Sequence, residues 1–110
     1  MQADPIPAKA QLVAQVEVIS EREFKGGWSF EVQVLDDHGA LSRHEVRLSW
    51  ADYNLWSQDG ADEPSNVIEA VMQFVTARTP PHDLPTKFDA SIARRKFPDA
   101  DVTIPRLIRP

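Results

Sequence analysis

Four groups of side chains in this chain of 110 residues are of types and spacings that could do chemistry. The three histidines are His38, His44 and His82. An imidazole titrates near neutral pH and ligates metals, so each is a candidate acid, base or ligand. A metal site would need them to converge with an acid such as Asp83. Their positions in a turn, a strand and a loop have no ligand spacing. The expected roles are therefore a turn residue, a sheet imidazole with bonded nitrogens, and a loop residue. The acidic run Asp59, Asp62 and Glu63 would suit a cation or a basic partner. It also stands just before a helix start, where the positive end of the helix dipole favours carboxylates. The basic cluster Arg94, Arg95 and Lys96 has Lys87, Arg106 and Arg109 nearby in sequence, and is where nucleic acid or an acidic partner would be met. Cations are equally expected in the last turn of a helix, and no aromatic residues interleave with these to make a base-stacking platform.

The fourth group is aromatic. Trp50, Tyr53 and Trp56 recur at a spacing of three, which gathers them on adjacent turns of a helix. Such residues anchor protein interfaces, and they plug small cores equally well. These three form the candidate interaction surface. A catalytic reading would draw on His44, Arg47, Asp52 and Tyr53, which the sequence alone does not bring together. The chain has no glycine-rich phosphate loop, since Gly26-Gly27 lacks both the glycine spacing and a following Lys-Ser/Thr. It has no nucleophile elbow, no His-Glu-x-x-His and no calcium loop. With no cysteine there is no disulfide, thiolate metal site or cysteine nucleophile.

Hydrophobic periodicity shows which elements would position these groups. Leu12, Ala14, Val16 and Val18 alternate with polar residues, which predicts a strand over about 11–20. Val13 and Ile19 interrupt its polar face. Residues 21–27 read as a turn region, with Gly26-Gly27 permitting a reversal. Trp28, Phe30, Val32 and Val34 predict a second strand over about 28–35, closed by turn chemistry at Asp36-Asp37-His38-Gly39. His44, Val46, Leu48 and Trp50 predict a third over about 41–49. Pairing these strands collects Glu31, Gln33, Arg43, Glu45 and Arg47 on the opposite, solvated face. Short connections make an antiparallel meander the simplest topology.

The period then changes. Ser49 followed by Asp52 resembles a capping box and predicts a short helix over 51–57. Pro64 opens the strongest helix, over about 64–78, with Val67, Ile68, Val71, Met72, Phe74 and Val75 on one broad stripe. Asn66, Glu69, Gln73 and Thr76 take the other side, and Pro80-Pro81 stops it. A second short helix is expected over about 89–96, with Asp89 as N-cap and Pro98 as stop. The fold class is thus α+β: a three-stranded antiparallel meander with three helices packed on one sheet face.

Length argues for one domain over 1–110. Within it, 1–10 read as a loose arm. Residues 98–110 read as an extended apolar tail that packs on the domain or on a neighbour. The N-terminus has neither a basic region nor an apolar stretch of the kind a signal peptide needs. No apolar run approaches membrane-spanning length. The net charge of −5 disfavours nucleic-acid backbones. The missing cysteines fit a reducing compartment, and the expected location is cytoplasmic.

Phe74, Arg78, Pro80-Pro81, Leu84, Phe88-Asp89, Ile92, Arg94 and Phe97-Pro98 together resemble a family of small uncharacterised bacterial α+β proteins. In that family a helix ending in an Arg-x-Pro-Pro turn leads to a Phe-Asp helix that stops at Phe-Pro. The resemblance covers roughly 41–99. Lys96 departs from it, standing where the pattern has an aromatic residue. It implies a bacterial origin and a fold, with no assigned activity and no functional residue to carry over. On packing grounds alone, Leu84, Phe88, Ile92 and Phe97 should fold back as a clasp.

The leading functional expectation is a non-enzymatic protein-interaction domain, without cofactor, whose partner is another protein or a second copy of the chain. The alternatives are a small enzyme or ligand-binding domain with a pocket near the sheet–helix junction, and a weak binder of nucleic acid or an acidic partner through Arg94, Arg95 and Lys96.

Overall fold

A computed structural model describes residues 14–108. The predicted arm over 1–10, the start of the first strand with Leu12 and Val13, and the final two residues lie outside the described residues. The alternating segments form three long strands, β1 (Gln15–Phe24), β2 (Gly27–Leu35) and β3 (Leu41–Ser49), paired antiparallel in chain order. The meander is as expected from the sequence. The sheet has a fourth strand, β4 (Lys87–Asp89), which pairs parallel with β3 and makes the sheet mixed.

Two details of β1 depart from the sequence reading. It runs on through Phe24, so the turn before β2 is confined to Lys25-Gly26. Gly27 then pairs with Phe24, and a Cβ there would lie 2.1 Å from the Leu48 carbonyl oxygen, so only glycine lets β2 and β3 close at this end. The pairing of β1 with β2 also shifts by one residue between Val18 and Ser20, leaving Ile19 as a β-bulge. The bulge explains why an isoleucine interrupts the polar face: Ile19 is unpaired and exposed.

The helices all lie on one side of the sheet. Helix α1 (Trp50–Trp56) follows β3 directly, with the Asp52 backbone N–H donating to Ser49 Oγ at 3.1 Å, the capping bond its sequence predicts. Helix α2 (Pro64–Thr76) starts on its proline and buries Val67, Ile68, Val71, Met72, Phe74 and Val75 completely or nearly so. They meet Phe30, Val32, Val34, Val46 and Leu48 of the sheet in one core. Thr76, expected on the polar side, is buried too, and its hydroxyl donates to the Met72 carbonyl at 2.6 Å.

After α2 the chain passes through a single tight turn, Pro81–Asp83, to β4. Here the expectation of a helix over 89–96 is corrected. Asp89 ends β4, and its Oδ1 accepts from the Ser91 N–H at 2.9 Å, turning the chain into the shorter helix α3 (Ile92–Lys96). Leu84 and Ile92 are buried, while Phe88 and Phe97 pack half-buried against the core.

The expected extended tail over 98–110 is also corrected. Ala100–Ile108 is helix α4, and it packs along α2 with Ile104 fully buried. Two features carry a helix through this proline-rich segment. Asp99 opens it, its carbonyl accepting from Val102 and Thr103 N–H and its carboxylate from the Thr103 hydroxyl. Pro105 lies within the second turn and forfeits one bond to the carbonyl four residues back.

If α4 completes the core, Ile104→Ala should destabilise the domain by about 2–5 kcal/mol in urea unfolding. Val102→Ala, on the exposed side of the same helix, should change it by less than about 0.5 kcal/mol. Equal small effects at both positions would mean that α4 is not part of the core.

Candidate interaction surface

The aromatic series separates by depth. Trp56 is 1% exposed and its indole N–H donates to Asp101 Oδ1 at 3.0 Å, which ties α1 to α4. Tyr53 is 8% exposed, and its hydroxyl donates to the carbonyls of Gly60 and Asp62. These two are core residues. Trp50 is 48% exposed. Its ring lies 4.5 Å from that of Trp28, which in turn lies 5.2 Å from that of Tyr53. Trp50 is thus the outer member of a row of three tilted rings whose inner members are buried. Its backbone N–H donates to the Gly26 carbonyl at 3.0 Å, placing it beside the β1–β2 turn. Leu55, on the same helix, is also exposed.

The β1–β2 turn carries a second exposed aromatic ring. Phe24 stands on the side of the sheet opposite the helices, and the Arg47 guanidinium stacks 4.8 Å from its ring centre. Phe24 pairs with Gly27 and Arg47 with Ser29, so the contact runs diagonally from β3 to β1 across β2. Sequence reading missed this pair because it placed Phe24 in a loop. The retrievable signal was an aromatic residue immediately before Lys-Gly-Gly, a position that a strand end fits as well as a turn.

The helix-free face of the sheet holds a groove of about 500 Å³. Arg22, Ser29, Glu31, Arg43, Glu45 and Lys87 are among its polar lining residues, with Glu21 at its β1 side. Arg43 pairs with Glu31 at 2.8 Å and Lys87 with Glu45 at 3.8 Å, while the Ser29 hydroxyl donates to Glu45 at 3.3 Å. This is the mixed-charge face expected from Glu31, Gln33, Arg43, Glu45 and Arg47, with Arg22 and Ser29 added.

The groups that a catalytic reading would use do not converge. His44 is 3% exposed and has both nitrogens occupied, Nδ1 with the Pro85 carbonyl at 2.7 Å and Nε2 with Ser42 Oγ at 2.9 Å. Tyr53 is engaged as above, and Arg47 is stacked on Phe24 on the other side of the sheet. His38 and His82 are exposed beside Asp37 and Asp83 respectively. Among the described residues no group of three or more His, Asp or Glu could hold a metal ion. The acidic run shapes its own loop: Asp59 accepts from the Ala61 N–H, and Asp62 from the Ser57 hydroxyl.

The basic cluster also divides. Arg94 is held by Asp101 at 3.1 Å and by Asp52 at 3.5 Å, whereas Arg95 and Lys96 are exposed. Asp52 is buried, and burial pushes its carboxyl above the ordinary value. The negative charges of Asp89 and Asp101 add to that push, while Arg94 and the Ser49 hydroxyl oppose it. The chain matches no family model, no curated protein and no solved structure.

The Asp52 environment sets a pH dependence. A carboxyl raised on folding binds more protons folded than unfolded, so its contribution falls as pH climbs from the ordinary value of 3.8 through the raised one. Replacing Arg94 with Ala removes an opposing charge and should widen that window. Thermal melts across acidic pH should show Asp52→Asn losing less stability than wild type over this interval, and Arg94→Ala losing more. Parallel curves for all three proteins would contradict the assignment.

Proposed function

We propose that this chain is a non-enzymatic protein-interaction domain whose contact surface is centred on Trp50 at the β1–β2 turn. One observation carries the reading: Trp50 is half-exposed although its ring packs against that of the buried Trp28, which Tyr53 backs. A rigid aromatic residue loses little conformational freedom on binding, which is why such residues dominate interface energetics. Phe24, stacked with Arg47, adds a second exposed ring at the same turn. Tyr53 and Trp56, members of the same sequence series, contribute by holding α1 and the ring stack in place.

The two alternatives have less support. The residues that an enzyme or a junction pocket would use are bonded within the fold. Arg94 is engaged by two carboxylates, which leaves Arg95 and Lys96 as a small cationic remainder on an acidic chain. No helix among the described residues is long and apolar enough to cross a membrane. We take the setting to be cytoplasmic and the source bacterial, on the cysteine-free composition and the family resemblance of the C-terminal half.

Asn54 is exposed one helical turn from Trp50. A photoreactive phenylalanine analogue placed there should capture one discrete protein in the cells the chain comes from. In the Trp50→Ser background the same capture should fall about tenfold, although that change should cost only about 1–2 kcal/mol of stability. Undiminished capture in that background, or no crosslinked species at all, would overturn the reading. A dimer in light scattering that Trp50→Ser dissociates would identify the partner as a second copy.

A further inference from the structure

The strand register arranges the helix-free face in rows that run across the sheet. Arg22 pairs with Ser29, Ser29 with Arg47, and Arg47 with Asp89. In the adjacent row Ser20 pairs with Glu31, Glu31 with Glu45, and Glu45 with Lys87. Over the three long strands the first row is cationic, through Arg22 and Arg47, and the second is anionic, through Glu31 and Glu45. The rows lie two residues apart along each strand, about 6.6 Å.

The bulge at Ile19 creates this pattern. Before it, partners satisfy the register of Val18 with Val32; after it, every β1 residue is displaced by one. Continued without the shift, the earlier register would set Glu21 opposite Ser29, Ile19 opposite Glu31 and Glu23 opposite Gly27. The shift sets Arg22, Ser20 and Phe24 there instead. A bulge re-aims side chains, and such features concentrate where a surface is used. Here it exchanges two acids for an arginine and a phenylalanine on one face.

The two rows differ in how they are paired within the chain. Arg22 makes no ion pair or hydrogen bond with any described residue through its side chain, and Arg47 has only the Phe24 ring. Glu31 is paired with Arg43, and Glu45 with Lys87 and the Ser29 hydroxyl. Like charges directly opposed across strands, as Glu31 and Glu45 are, destabilise an unliganded sheet and would be relieved by a cation laid between them.

We propose that this face docks an extended peptide segment of the protein partner, with an acidic residue over the Arg22–Arg47 row and, two positions along, a basic residue over the Glu31–Glu45 row. In an extended chain residues i and i+2 point the same way and are about 6.6 Å apart, the spacing of the rows. The groove of about 500 Å³, which Arg22, Ser29, Glu31 and Glu45 help to line, gives such a segment its seat, and Ser29 stands between Arg22 and Arg47 in the register. The proposal rests on the protein-interaction reading and specifies the chemistry of the partner.

Three blocked, fluorescent peptides test it against the full chain at low salt: Thr-Glu-Thr-Lys-Thr, Thr-Glu-Thr-Glu-Thr and Thr-Lys-Thr-Lys-Thr. Anisotropy should show the mixed-charge peptide binding at least about tenfold more tightly than either of the others. The double variant Arg22→Glu/Arg47→Glu, both at exposed positions and checked for folding by circular dichroism, should switch the preference to the Lys-Thr-Lys peptide. Equal affinities, no binding at millimolar peptide, or a preference that the variant leaves intact would overturn the proposal. So would amide shifts on this face that follow protein concentration without peptide, since they would make a second copy the occupant. A partner captured next to Trp50 alongside failed peptide binding would remove this inference alone; failure of both would remove the interaction reading as well.

Discussion

The fold depends on α2 being buried on two sides. The sheet can cover only one side of a helix, and Val67, Ile68, Val71, Met72, Phe74 and Val75 span more than that side. Something must return to cover the rest. The chain solves this by bringing its C-terminal segment back as α4, with Ile104 as the buried contact. β4 follows from the same need, since the return path from α2 passes the open edge of β3 and pairs with it for three residues.

Two polar nodes hold the returning segment in register. At the C-terminal end of α2, the Arg78 guanidinium lies 3.7 Å over the Phe74 ring, bonds the Phe74 carbonyl, and pairs with Asp99 at 2.9 Å. Phe97 meets Phe74 edge-on at 5.7 Å, so one arginine joins the end of α2 to the start of α4. At the other node Asp101 receives both the Trp56 indole and Arg94, and Arg94 also reaches Asp52. That node links α1, α3 and α4. Its cost is a carboxyl, Asp52, held in the interior near Asp89 and Asp101, with Arg94 reaching both Asp52 and Asp101. Arg94 therefore serves the fold, although sequence context presents it as part of a surface patch.

What the sequence made legible was whatever follows from local periodicity. Alternation at Trp28–Val34 and His44–Leu48, the Ser49 cap and the proline-headed stripe of α2 each carry their own signal. The missed features are those decided by contacts distant in sequence. Lys87-Phe88-Asp89 is too short to display a period, and it is a strand only because β3 lies beside it. Residues 100–108 hide a helix behind Pro98 and Pro105, and Asp99 and the α2 surface override that local disfavour. The spacing of Trp50, Tyr53 and Trp56 showed correctly that they share a helix. It could not show which of them α4 would cover, and Trp56 is the one that Asp101 holds.

The same reasoning limits where recognition can occur. His44, Tyr53, Trp56, Asp52 and Arg94 are spent on holding elements together, so the chemically distinctive side chains are largely withdrawn from the surface. What stays outside, among the described residues, is the outer part of Trp50 and the sheet face that no helix covers. Both meet at the β1–β2 turn: the Gly26 carbonyl accepts the Trp50 N–H, and Gly27 lets β2 close on Leu48 and Ser49 of β3 beside Phe24. An edge strand is itself exposed to unwanted pairing, which charged residues and a bulge discourage. In β1 one device answers both demands. The Ile19 bulge breaks the regular edge of the sheet, and by displacing every later residue it turns Arg22 and Phe24, in place of Glu21 and Glu23, toward the uncovered face.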